Sequence, residues 1–82
     1  MIQVNDTQFY PCHYTDGKVD CYEYEDYEII ASIYYHKNRW RYSIAKKAIF
    51  GAESKHLPEY KRRLETDCRK LVEQLNKRKI DK

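Results

Sequence analysis

Glycine and proline are scarce in this 82-residue chain, with two of each. That leaves no glycine-rich loop to cradle a phosphate and no flexible or proline-rich linker. One domain is therefore expected over 1–82. Long apolar runs are missing too. The best is Ile29 to Tyr35, seven residues including a Ser, far short of a membrane span. The first residues, Met-Ile-Gln-Val-Asn-Asp, lack the basic and apolar regions of a signal peptide, so the expected location is cytoplasmic with no membrane contact. Cysteine is low and odd in number, at three, a poor basis for a disulfide framework. Cys12, Cys21 and Cys68 show neither Cys-x2-Cys nor His-x3-His spacing, so no metal site is expected. No cofactor is implied. His13, His36 and His56 stand apart from any serine–carboxylate set and from a His-Glu-x-x-His pattern. No catalysis is expected.

Aliphatic bulk is thin: Ile, Leu, Val and Phe number sixteen, near the level at which disorder sets in. Nine tyrosines and Trp40 offset this, because disordered chains are poor in aromatics. Tyrosine rings are expected to carry much of the packing.

The net charge of +3 hides a strong polarity. Residues 1–28 hold seven acids and one base, 29–51 hold five bases and no acid, and 52–82 hold ten bases and six acids. Such a chain has two electrostatic faces, or an acidic segment that neutralises a basic one.

Asp16-Gly17 between β-prone residues signals a two-residue hairpin, because a type I′ turn needs positive φ at both central positions. That register sets Cys12 opposite Cys21, His13 opposite Asp20 and Pro11 opposite Tyr22. A second hairpin is read from alternation. Ile29, Ala31, Ile33 and Tyr35 share a face with Trp40, Tyr42 and Ile44 if Lys37-Asn38 is the turn. The opposite face then carries Ser32, Tyr34 and His36 beside Ser43, Arg41 and Arg39. After Ala48-Ile49-Phe50-Gly51 the period changes. Tyr60, Leu64, Cys68, Leu71 and Leu75 form one helical stripe, predicting a helix over about 57–78, capped at Ser54 or Leu57. Trp40 and its neighbours should lie beneath that stripe. The expected fold is α+β: an antiparallel sheet of about four strands, two hairpins within 1–51, packed against one C-terminal helix.

Two surfaces stand out. Asp20, Tyr22, Glu23, Tyr24, Glu25, Asp26, Tyr27 and Glu28 alternate carboxylates with tyrosines around Cys21. Tyrosine anchors protein interfaces at little entropic cost, and spaced carboxylates suit a basic groove. Tyr34, His36, Arg39 and Arg41, followed by Lys46 and Lys47, make a basic-aromatic surface of the kind on which single-stranded nucleic acid stacks.

In layout (short, tyrosine-rich, hairpins then helix, polarised charge) the chain resembles small accessory proteins of phages and mobile elements. That resemblance implies an inhibitor or modulator that blocks host defence or nucleic-acid machinery by binding alone. The first expectation is thus protein binding, with the acidic tyrosine surface docked on a basic, nucleic-acid-handling partner. The alternative is direct nucleic-acid binding through the basic face and helix. A homodimer along a tyrosine-rich sheet edge is a third class.

Overall fold

The computed structural model describes residues 1–47 and 55–80, with side chains for 1–47 and 55–77. It is an α+β fold: a five-stranded antiparallel sheet under one helix. The strands are β1 (Ile2–Val4), β2 (Thr7–Thr15), β3 (Lys18–Glu25), β4 (Ile29–His36) and β5 (Arg39–Lys46); the helix is α1 (Leu57–Ile80). Sheet order follows chain order, β1-β2-β3-β4-β5. Among the described residues, no helix is long and apolar enough to cross a membrane.

Both predicted hairpins form. Asp16 and Gly17 take φ of 53° and 79°, and Lys37 and Asn38 take 53° and 65°. Positive φ at both central positions matches the right-handed twist of the flanking strands. The β4–β5 ladder has the expected register throughout, with Ile33 opposite Tyr42 and Tyr35 opposite Trp40. The β2–β3 ladder begins and ends as expected, with Thr15 opposite Lys18 and Pro11 opposite Tyr22. Between them it slips, so that His13, not Cys12, opposes Cys21. Pro11 has no amide to give the ladder, and an irregularity beside it absorbs the loss. The side chains keep the expected neighbours all the same. The Cys12 thiol reaches the Cys21 carbonyl at 3.5 Å, and His13 Nδ1 meets the Asp20 carboxylate.

β1 is the strand that alternation did not reveal. Three residues are too few for a period, and its turn rests on Asn5 at φ 53°. It completes the core. Val4 and Phe9 join Ile29, Ala31, Ile33, Leu57, Leu64, Cys68 and Leu71 as buried apolar residues. Ile2, Tyr22, Tyr24, Trp40, Tyr42 and Ile44 pack around them half-buried. The helical stripe lands on the predicted sheet face. Trp40 lies on that face but at its margin, half-buried rather than central. Its backbone amide and carbonyl are both held by the Asn76 side chain, at 2.8 and 3.2 Å.

α1 begins at Leu57, as the stripe predicts, but Leu57 is not its cap. The Tyr60 amide donates to the His56 carbonyl at 2.9 Å, which makes His56 the cap. Ser54 lies outside the described residues. Asp67 is a buried polar residue of the helix, and its carboxylate accepts from Asn5 Nδ2 and Thr7 Oγ1, both at 2.7 Å. Buried polar groups need such partners. These two bonds fasten the β1–β2 turn to the helix.

Candidate functional site: the open face of the sheet

One helix covers one face of the sheet, and among the described residues no element covers the other. Strand alternation decides which side chains it carries. Glu25, Ile30 and Ala45 make one cross-strand row, and Tyr10, Glu23, Ser32 and Ser43 make the next. Cys21, Tyr34 and Arg41 form a third, and His36 with Arg39 closes the face at the turn. Acids therefore sit on β3 and bases on β5.

The acidic tyrosine stretch is divided by this alternation. Tyr22 and Tyr24 turn inward. Tyr22 packs against Trp40 with ring centroids 5.9 Å apart, and Trp40 continues to Tyr35 at 5.6 Å. The Tyr24 ring meets Phe9 edge-on at 6.5 Å, and its hydroxyl donates to Asp26 beside the Tyr60 hydroxyl. Glu23 and Glu25 turn outward. Glu25 is paired with Lys47 Nζ at 2.6 Å. Asp20 accepts from Thr15 Oγ1 and from His13, and those two bonds hold its carboxyl below the usual range. The carboxylate stands between the hydroxyl and the imidazole, so this trio gives Thr15 no base.

Asp26 organises the β3–β4 turn. Its Oδ1 accepts from the amides of Glu28 and Ile29, at 2.8 and 2.9 Å, while Oδ2 accepts from the hydroxyls of Tyr60 and Tyr24. Burial pushes the carboxyl up. The bonds from Tyr60, the two amides and Tyr24 outweigh it and leave the carboxyl below its ordinary value. Burial and the same contacts push the Tyr60 phenol upward. Tyr27, at the tip of that turn, is 74 % exposed. Glu28 is half-buried, and its Oε2 has no hydrogen-bond partner among the described residues.

The basic-aromatic set stays together more fully. Tyr34, His36, Arg39 and Arg41 share the open face. Tyr34 lies directly opposite Arg41, and His36 opposite Arg39. Arg41 Nε donates to the His36 carbonyl at 3.2 Å. Lys46 stands opposite buried Ile29, on the helix side of the alternation. Lys47 is taken up by Glu25, by the Asp26 carbonyl at 3.0 Å and, through its amide, by the Glu28 carbonyl at 2.8 Å. Of the six expected residues, Lys46 thus leaves the face and Lys47 is neutralised at its end. Tyr10, which sequence reasoning passed over, joins it: it is 53 % exposed and opposes Glu23. The Pro11–Tyr22 pair carried that signal, because it puts Tyr10 on the side away from Tyr22.

No protein family, curated protein or solved structure matches this chain. Function has to be read from the surface itself. Among the described residues, no group of three or more His, Cys, Asp or Glu is placed to hold a metal ion. Burial and the nearby Asp67 and Glu65 push the Cys68 thiol up to about 12, so it packs in the core as a neutral apolar group. A cleft of about 620 Å³ lies beside the β1–β2 turn, lined by Asn5, Thr7, Tyr24, Tyr60, Arg63 and Asp67 among others. Its buried carboxylate is already engaged by Asn5 and Thr7.

Proposed function

We propose that this domain is a non-enzymatic binding protein whose open sheet face, at Tyr34, His36, Arg39 and Arg41, engages single-stranded nucleic acid. One observation carries the reading. Arg39 and Arg41 are exposed beside an aromatic ring, and neither makes an ion pair among the described residues. Three of the acids near them are occupied, Glu25 by Lys47, Asp20 by His13 and Thr15, and Asp26 by its turn, while Glu23 stands on β3 with β4 between it and the arginines. Phosphates are the natural partners of free guanidinium groups, and a base stacks on a phenol face whatever its sequence.

Arg39→Ala with Arg41→Ala should weaken binding of an oligothymidylate and flatten its salt dependence by up to about 2 units of slope. Fluorescence anisotropy at two salt concentrations measures both quantities. An unchanged slope removes the basic face from contention.

A second reading has its own support. Among the described residues Tyr27 is the most exposed of the large aromatics, and it stands beside the acids of the β3–β4 turn. This fits a modulator or inhibitor, of the phage-accessory kind, that docks on a basic nucleic-acid-handling protein. Glu23→Lys with Glu25→Lys would then abolish capture of that protein from nuclease-treated lysate. On the first reading the same reversal strengthens oligonucleotide binding or leaves it alone.

A further inference from the structure

A sheet ends at two edges, and the edges of this one differ. β1 is three residues long, and the stretch of β2 beyond it carries Pro11 and an irregular register. Short strands, prolines and bulges are the usual protections against an added strand. β5 has none of them. It is eight residues long, regular along its whole inner ladder, and free of Pro and Gly.

The outward backbone groups of β5 can be placed directly. In an antiparallel ladder alternate residues turn their amide and carbonyl away from the partner strand. Trp40 is one of them, since both groups are met by the Asn76 side chain, the amide at 2.8 Å and the carbonyl at 3.2 Å. A single asparagine thus does at Trp40 what a neighbouring strand would do. The same alternation turns the amides and carbonyls of Tyr42 and Ile44 outward, and among the described residues no side chain takes them up.

The chemistry of the occupant follows from what flanks this edge. Residues 29–47 contain five bases and no acid. Arg39 and Arg41 stand on the open side of β5, and half-buried Tyr42 and Ile44 on the helix side. An added strand therefore meets positive charge with one set of its side chains and apolar surface with the other. A second copy of β5 would bring its own arginines alongside these, and like charges on neighbouring strands repel. We infer that the β5 edge receives an extended acidic segment of another protein, alternating carboxylates with apolar residues, as a sixth strand. Main-chain bonds to Tyr42 and Ile44 supply affinity, and Arg39 and Arg41 select for acids.

This inference stands apart from nucleic-acid binding, which would use side chains of the face and not the outward amides of the edge. The probe is a synthetic peptide of β5's own length, eight residues, alternating Glu and Val. Its counterpart has Lys in place of Glu. Residue-resolved amide exchange of the whole chain is followed by nuclear magnetic resonance during each titration, with no nucleic acid present. The Glu peptide should slow exchange at Tyr42 and Ile44 by about tenfold or more at saturation, while the inward amides of Arg41 and Ser43 stay as they were. The Lys peptide should bind at least tenfold more weakly. Arg39→Glu with Arg41→Glu should invert that preference, and the inward amides report that the sheet is intact. The inference is overturned if the Glu peptide fails to bind, if it binds without protecting Tyr42 and Ile44, or if both peptides bind alike. It is also overturned if those amides are already protected in a protein of doubled mass, because the occupant is then a second copy.

Discussion

Phe9→Ala should cost about 3–5 kcal/mol, the range for deleting a fully buried aromatic ring. Phe9 has no exposed surface, stands opposite Ile2 in the β1–β2 ladder and meets the Tyr24 ring edge-on at 6.5 Å. Its loss opens a void where β1, β2 and β3 converge. Domains are stable by only about 5–15 kcal/mol, and a thin core such as this one belongs at the low end. The variant should be largely unfolded near body temperature. Urea unfolding gives the comparison, with the midpoint falling and the slope unchanged. Trp40→Ala serves as the contrast. Half-buried at the sheet margin, Trp40 has less contact to lose and should cost less than Phe9. The reverse order would move the centre of the core from β2 to β5.

Asp26→Ala should cost about 2–3 kcal/mol at neutral pH and change how the domain responds to acid. The carboxylate accepts four hydrogen bonds, two from amides and two from phenols. Bonds to a charged acceptor are worth about 1.5–3 kcal/mol each, and the partial exposure of this turn keeps the sum well below four times that. The folded-state carboxyl lies below its ordinary value, which for an unfolded aspartate is about 3.9. Its contribution is therefore complete above about pH 4 and is lost as pH falls through the lower folded value. Wild-type stability should drop over that acid window, and Asp26→Ala should flatten the drop. Thermal melts between pH 7 and pH 2 test this. A variant as acid-sensitive as the parent would assign the sensitivity to other carboxyls.

How much of this was legible beforehand depended on whether the signal was local. Asp16-Gly17 specifies its turn, because those residues tolerate the conformation the turn requires. The alternation from Ile29 to Ile44 fixed a complete register, since a slip of one residue would expose the whole apolar face. The helical stripe was equally plain. β1 left no trace because its partners lie elsewhere: Val4 is buried by tertiary contact, and the turn after it is tied to Asp67, sixty-odd residues away. On the open face, Tyr34, His36, Arg39 and Arg41 followed from alternation alone. The division of the acidic stretch followed from the same rule, with Tyr22 and Tyr24 in, Glu23 and Glu25 out. What the rule cannot supply is pairing at a distance. Lys47 with Glu25, and Asp26 with Tyr60, depend on how the ends of elements meet.

The strands lie in the sheet in the order in which they occur in the chain. Every ladder is therefore closed by a short loop, and the hairpins can form early and quickly, since little chain entropy is lost in bringing neighbours together. Among the described side-chain bonds, those from Asn5 and Thr7 to Asp67 reach furthest along the chain, spanning 62 and 60 residues. They join the first turn of the chain to the middle of α1 and close only after the helix has docked. A contact made so late adds little to the speed of folding. It acts on the reverse rate, as a clasp that must open before the first strand can peel away, so the lifetime of the native state rests on it more than the ease of reaching that state.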